Sequence, residues 1–483
     1  MTPSESKSSN ENLRMPSLHI SGIGGTLMVA GARLALEAGW EVRGSDNPLY
    51  PPVSDMVQRL GVPVAQAYDA ANLDWGPDTV LIGNALSRGN PEVEAALERR
   101  MRYQSLPEWL KEHVLRTRRP VAICGTHGKT TTTALTAFLL DACGLSPGFL
   151  IGGQPADFEH SARLGEDGAP FVIEGDEYDT AFFDKRAKFF HYLPEIAVVT
   201  SLEFDHGDIY PDLAAIEQAF KWMLRQVPAS GSVILCADEP GAMALKEHAY
   251  SQVLTYGLND GADVHAERLS QADGFERVRV TVRGEDWGEF RMPMAGRHNL
   301  RNALAAIAVA HVLGIERDAI RDALPRFRGV KRRLEVFHEA RGMIFVDDFA
   351  HHPTAIRETV QAARERWPER RLLVAFEPRS NTTVTNRFQD DLAKAFNGAE
   401  GVYIGPVHRA DSLPEDERLD VARLIAEIGP HARTVASADE LAAIWNAEGR
   451  DGDLVLICSN GAFGGIHQRV RETIVDGAGA ATE

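Results

Sequence analysis

The chain has 483 residues and a formal net charge of -18, with 69 acidic side chains against 51 Lys and Arg. That length suggests about three domains, and the acidic balance argues against non-specific nucleic-acid binding, so phosphate recognition must come from local sites. Four cysteines without paired spacing read as reduced thiols, and no apolar run approaches the ~20 residues of a membrane span; both point to a cytoplasmic protein without a membrane partner.

Residues 1–16 are polar, lack a signal-peptide core and read as a disordered tail. Leu18-His19-Ile20 then reads as a strand, Ser21 to Thr26 as a glycine-bearing turn, and the Ala-rich run to Ala38 as a helix. A second strand near Val42 ends at Ser45 and Asp46, completing a Rossmann-like opening. The third glycine of a dinucleotide fingerprint would fall on Leu27, so a nucleotide other than a nicotinamide cofactor is the better match. Thr79 to Gly83 is a further strand, followed by a polar loop through Ser87 that reads equally as a ligand loop or an ordinary turn. Arg116 to Arg119, ended by Pro120, looks like a linker.

Val121-Ala122-Ile123 reads as a buried strand, and Ala134 to Cys143 as a helix. Between them, Gly125-Thr126-His127-Gly128-Lys129-Thr130-Thr131 has the chemistry of a phosphate loop. Glycines allow close backbone approach to a polyanion, N–H groups at the helix start and a lysine face phosphate oxygens, and the following hydroxyl can ligate Mg2+. The loop is shorter than the standard pattern, which would put its first glycine at Ile123. Phe171 to Ile173 is a strand ending in Glu174, Asp176, Glu177 and Asp179, acids suited to holding a cation beside bound phosphates. Ile196 to Thr200 is another, ending in Glu203, Asp205 and His206. Val233 to Cys236 continues the sheet, and alternation over Val278 to Val282 suggests antiparallel strands. Gly296-Arg297-His298-Asn299 opens a helix from Leu300 to Leu313.

Downstream, Met343 to Val346, Leu372 to Phe376, Gly401 to Ile404 and Leu454 to Ile457 read as strands of a further doubly wound sheet. The expected fold class is α/β in three domains: a Rossmann-like N-terminal domain, a central P-loop-type mononucleotide-binding domain with a parallel sheet, and a Rossmann-like C-terminal domain. The boundaries expected are 17–117, 118–325 and 326–475, with tails at 1–16 and 476–483.

Gly125 to Thr131, Glu174-x-Asp-Glu, Asp205-His206, Gly296 to Asn299 and Asp347-Asp348-x-Ala-His-His-Pro-Thr354, in that order, resemble the Mur ligase family of ATP-dependent amide-forming enzymes. The resemblance covers nearly the whole chain after the tail, and the shortened phosphate loop is the family form. Gly22-Ile23-Gly24-Gly25 and His351-His352-Pro353 look like the branch that acts on UDP-N-acetylmuramate. One member of that branch adds L-alanine; another attaches the recycled tripeptide L-alanyl-γ-D-glutamyl-meso-diaminopimelate. Glu174 to Arg186, with Tyr178 where the alanine-adding enzyme usually has serine, and Phe376 to Thr382 resemble the tripeptide-adding member.

The resemblance implies ATP and Mg2+ as cofactors, with UDP-N-acetylmuramate and a murein tripeptide as small-molecule partners. Lys129, Glu174 and His206 would be catalytic, and Thr130, Glu174 and His206 the metal ligands. ATP would be held by Gly125, Thr126, His127, Gly128, Lys129, Thr130, Thr131, Asn299, Arg332 and Asp348. The UDP-sugar would be held by Gly22, Ile23, Gly24, Gly25, Thr26, Ser45, Asp46 and Ser87. Arg379 and Asn381 would meet peptide carboxylates, an Arg fork being suited to that task. The lysine that becomes carbamylated in several relatives maps to Phe220, with Lys221 beside it, so the carbamate is not carried over. A plain nucleotide hydrolase, or a non-catalytic nucleotide-binding module, would also account for the phosphate loop alone. The extra sheet domains weigh against the first. The second leaves Lys129, Glu174 and His206 without a task.

Overall fold

A computed structural model describes residues 14–50, 53–205, 207, 209–272, 275–410 and 413–476. His206 and most of both expected tails lie outside these residues. The chain divides into two units, the first running to Thr117 and adding Ala162–Leu164 and Asp179–Arg186, the second holding the remainder.

The first unit is built on five parallel strands in the order Val64–Ala65, Glu41–Ser45, Ser17–Ser21, Thr79–Ile82, Tyr103–Gln104. This is the doubly wound arrangement expected from the opening motif, and its order reverses beside Ser17–Ser21. Ser17–Ser21 is buried at every position, as a central parallel strand must be. The helix Thr26–Glu37 follows directly, and Gly22 takes φ +82, which a side chain rarely tolerates. Behind the sheet lies Glu92, fully buried near the start of the helix Pro91–Glu98. Its carboxylate accepts from Ser21 Oγ and Ser45 Oγ (both 2.5 Å), Asn72 Nδ2 (2.6 Å) and His19 Nε2 (3.3 Å). Burial pushes this carboxyl up, but the four hydrogen bonds outweigh it and bring it down to about 2.

The second unit carries two larger sheets. In the central one, Gly148–Leu150, Pro170–Gly175, Arg119–Cys124, Ile196–Val199, Ser232–Cys236 and Gln252–Gly257 run parallel in that spatial order. Val264–Ala272, Phe275–Val282 and Glu285–Met292 extend it as an antiparallel meander, as the alternation near Val278 predicts. In the C-terminal sheet, Met343–Asp348, Asp453–Cys458, Arg371–Phe376, Gly401–Ile404 and Ala432–Thr434 are parallel, and Glu335–Ala340 pairs antiparallel at one edge. The three-part α/β architecture expected from the sequence is the one found. Two helices start earlier than predicted: Lys129–Ala142 begins at the lysine itself, and Arg297–Val312 begins before Leu300. In both cases a glycine with positive φ ends the loop abruptly, Gly128 at +80 and Gly296 at +95, so no transitional turn is needed. Among the described residues no helix is long and apolar enough to cross a membrane.

Candidate active site

Three parallel strands of the central sheet deliver their carboxyl ends to one place, because Cys124 stands in register with Gly175 on one side and Val199 on the other. The phosphate loop leaves the first strand, Glu174 ends the second and Thr200 to Asp205 follow the third. Ligand sites in open α/β sheets lie at such strand ends. The loop is fastened from below: Thr126 N donates to Ser201 O (3.1 Å), His127 N to Ser201 Oγ (2.9 Å), and Thr200 Oγ1 to His127 O (2.5 Å).

Lys129 Nζ donates to Gly125 O (2.5 Å) and to both carboxylate oxygens of Glu177 (2.8 and 3.1 Å). Burial alone would depress the ammonium, but Glu177, then Asp176 and Glu174, more than offset it and keep the group charged. Thr130 Oγ1 donates to Glu174 Oε2 (3.2 Å), and Gly152 N donates to Glu174 Oε1 (2.6 Å). Burial pushes the Glu174 carboxyl up despite that N–H and Lys129. A hydroxyl and a half-buried carboxylate at this spacing are an all-oxygen donor pair that fits a hard divalent cation.

Beside the loop opens a cleft between the central and C-terminal parts of the second unit, about 770 Å³ counted to its open mouth. Its walls include His127, Gly128 and Thr131 from the loop, His298 and Asn299 from the helix Arg297–Val312, and Arg333 and Asp348 from the C-terminal part. Asn299 Nδ2 donates to Ala295 O (2.8 Å), which orients its amide. Asp348 accepts from Leu334 N and Ala350 N (both 2.8 Å), and burial pushes its carboxyl up.

The arginine at the cleft is Arg333, not Arg332. Arg332 turns into the C-terminal part, pairing with Asp347 (3.0 Å) and donating to Ser459 O (2.6 Å) and Gly461 O (2.8 Å). Arg333 Nη2 instead stands 3.5 Å from Thr130 Oγ1. The reason is local: Arg332 has φ +61, and this left-handed turn separates the two side chains. Arg379 lies 3.5 Å from Glu377 and from His408, in the loop after Arg371–Phe376 that also carries Asn381. Phe220 is core at 1 % exposure, and Lys221 faces Glu217 one turn away at 3.6 Å.

In the first unit, Gly22 N and Ile23 N donate to Ser45 O (2.9 and 3.2 Å), while Gly24 N donates to Asp46 Oδ2 (2.6 Å). Asp46 Oδ1 accepts from Tyr68 Oη (2.8 Å). Gly25 N-caps the helix Thr26–Glu37 without a side-chain hydrogen bond, a helix start where anions are favoured. The Ile23 side chain is core and the Ser45 hydroxyl is spent on Glu92, so only their backbones border the turn; Ser87 is exposed.

A phosphate loop with a hydroxyl–carboxylate pair, set in a three-part α/β chain, defines a nucleotide-binding protein of the α/β class. Family models match over most of the chain: "Mur ligase family, catalytic domain" over residues 17–118, "Mur ligase middle domain" over 123–310 and "Mur ligase, glutamate ligase domain" over 332–461. The chain belongs to the Mur ligase family. It is 42% identical over 462 residues to the UDP-N-acetylmuramate–L-alanyl-γ-D-glutamyl-meso-2,6-diaminoheptandioate ligase of Haemophilus influenzae, covering 95% of this chain and 99% of that protein. The Escherichia coli enzyme of the same name is 41% identical, covering 96% and 99%. Among solved structures, a murein peptide ligase from Psychrobacter arcticus is 35% identical with a TM-score of 0.72, covering 95% of this chain and 98% of that one. The UDP-N-acetylmuramate-alanine ligase of Thermotoga maritima is 26% identical with a TM-score of 0.78, covering 95% and 99%.

Proposed function

We infer that this chain is an ADP-forming ligase that joins L-alanyl-γ-D-glutamyl-meso-diaminopimelate to the lactyl carboxylate of UDP-N-acetylmuramate, in the reuse of cell-wall peptide. The observation that carries the reading is full-length identity of 41–42% to two ligases of that name. An amide does not form readily from a carboxylate and an amine, because oxide is a poor leaving group. ATP first phosphorylates the carboxylate; the alanyl amine then attacks the acyl phosphate and phosphate departs. Two anions meet in the first step, so the site needs positive charge more than a protein nucleophile.

Lys129 supplies that charge at the β- and γ-phosphates, exchanging its Glu177 contact for phosphate oxygens. Backbone N–H groups of the loop cradle the phosphates, with Gly125 and Gly128 permitting the approach. Thr130 and Glu174 would hold Mg2+, which when bound neutralises charge developing on the transferring phosphoryl group. Asn299 and Asp348 border the adenosine cleft, and Arg333 takes the role expected of Arg332. His206, which lies outside the described residues, would supply a second metal ligand, as the family resemblance implies. In the first unit, Gly22 to Thr26, Ser45, Asp46 and Ser87 serve the UDP moiety, with the helix start facing its phosphates. Arg379 and Asn381 serve the peptide carboxylates. A cytoplasmic location agrees with the free cysteines Cys124, Cys143, Cys236 and Cys458.

The test is ADP release from ATP, Mg2+ and UDP-N-acetylmuramate with either the tripeptide or L-alanine as acceptor. Tripeptide-dependent release is expected. A preference for L-alanine overturns the substrate assignment, and release without any acceptor makes the chain a hydrolase.

A further inference from the structure

One cluster of side chains at the edge of the cleft has no role in the phosphate chemistry above, which draws only on the backbone at His127. His127 Nε2 lies 3.0 Å from Glu203 Oε2, and His352 Nδ1 lies 3.9 Å from the same oxygen. One ligand atom from each of the three residues falls within 4.8 Å of the other two. The imidazole rings are 4.8 Å apart between centroids. His127 and Glu203 belong to the central part of the second unit. His352 belongs to the C-terminal part, where its side chain N-caps the helix Pro353–Arg366 by accepting from Thr354 N.

We propose that His127, Glu203 and His352 form a binding site for a borderline transition-metal ion of the Zn2+ class, which ties the phosphate loop to the C-terminal part. Two imidazoles and one carboxylate are the donor set that Zn2+, Co2+ and Ni2+ accept while leaving a position open. Mg2+ prefers oxygen, so this site is chemically distinct from the Thr130–Glu174 pair. Ligand atoms ~2.0–2.2 Å from a tetrahedral ion stand a little over 3 Å apart. The His127–Glu203 spacing is close to this, and His352 Nδ1 needs to move toward the Glu203 oxygen by less than an ångström, exchanging its Thr354 N–H contact for the ion.

The backbones that carry the ligands are held. Glu203 N donates to Thr126 Oγ1 (2.9 Å), Thr126 Oγ1 donates to Glu203 O (3.3 Å), and His127 is clamped through both its N–H and its carbonyl. Thr354 hydrogen-bonds the Glu203 carboxylate, an outer contact of the kind that orients a metal ligand. His352 is 4 % exposed, and its Nε2 is buried without a hydrogen-bond partner among the described residues.

The experiment is a titration of the full chain, stripped with EDTA, with Co2+, read in the visible d–d bands and by thermal melting. Wild type is expected to take up Co2+ with imidazole-type bands and to melt higher as the ion is added. His352→Asn keeps an N-cap acceptor for Thr354 while removing the imidazole. It is expected to bind Co2+ at least ~10-fold more weakly, and Thr354→Val about 10-fold more weakly through loss of the outer contact. Unchanged metal-free melting of His352→Asn shows that the loss is not unfolding. Absence of d–d bands in wild type overturns the proposal. Equal Co2+ affinity in wild type and His352→Asn also overturns it, because the ion is then held elsewhere on the chain.

Discussion

Lys129 is held on both sides before any nucleotide arrives, by Gly125 O and by the Glu177 carboxylate, itself 3 % exposed. Removing one partner of such a pair leaves the other charge buried, at a cost of about 3–5 kcal/mol. Lys129→Ala is therefore expected to lose at least roughly 10²-fold in turnover and also to melt lower. The double variant with Glu177→Gln should recover the melting temperature but not the turnover; recovery of both would remove Lys129 from the chemistry. Glu92 makes a separate prediction. Its folded value of about 2 lies below the ordinary 4.5, so its contribution is complete above the unfolded value and disappears as pH falls through about 2. That contribution is about 3 kcal/mol. In urea melts between pH about 5 and 2, wild type should lose more stability than Glu92→Gln, and parallel curves would contradict the assignment. The placement of Lys129 and Glu174 at neighbouring strand ends could be read from the sequence because motif spacing fixes it. Glu92 could not, since nothing local shows that a helix-start carboxylate receives four donors from residues 20 to 73 positions away.

At the level of the element, the phosphate loop owes its path to two glycines. A Cβ on Gly125, at φ +129, would lie 2.2 Å from Thr200 Oγ1 and 2.8 Å from the Ser201 backbone. At Gly128, φ +80, it would lie 2.6 Å from Asn302 Oδ1. Gly125→Ala meets backbone as well as a hydroxyl, so the loop itself must shift. ATP affinity is expected to fall by at least ~10-fold, with a loss of stability of about 1–3 kcal/mol. Equilibrium nucleotide binding and thermal melting read the two effects, and an unchanged ATP affinity would show that the loop does not set the phosphate site. The strand, loop and helix were legible because apolar run, glycines and hydroxyls agree over a dozen residues. The Arg332–Arg333 pair was not: which of two adjacent arginines faces the cleft depends on one positive φ, and a non-glycine residue carries no signature for it.

Across the molecule, each sheet could be anticipated from alternating strands and helices, but the contacts joining the central and C-terminal parts could not. Arg301 pairs with Glu239 on one side and Glu358 on the other, across 62 and 57 residues of sequence. Thr382 Oγ1 donates to Asp205 Oδ1 (2.5 Å) over a separation of 177. Such pairings follow from how folded parts meet, and periodicity within a segment says nothing about them. Arg301 also lines the cleft. Arg301→Ala should therefore lower the melting temperature and raise KM for ATP more than it lowers kcat. A fall in kcat at constant KM would place its effect on the chemistry rather than on cleft assembly.

The carboxylate that holds Lys129 also bears on which anions the loop accepts. A lone sulfate or orthophosphate approaching Lys129 offers a charge where Glu177 already provides one at 2.8 Å, and gains little by exchange. On the roles proposed for the loop, Thr130 and Glu174, a triphosphate would carry further charges to the loop N–H groups and bring its own cation to that pair, so it would win the competition on several contacts at once. Glu177 would thus act as a threshold, disfavouring the abundant single phosphates of a cell relative to a polyphosphate.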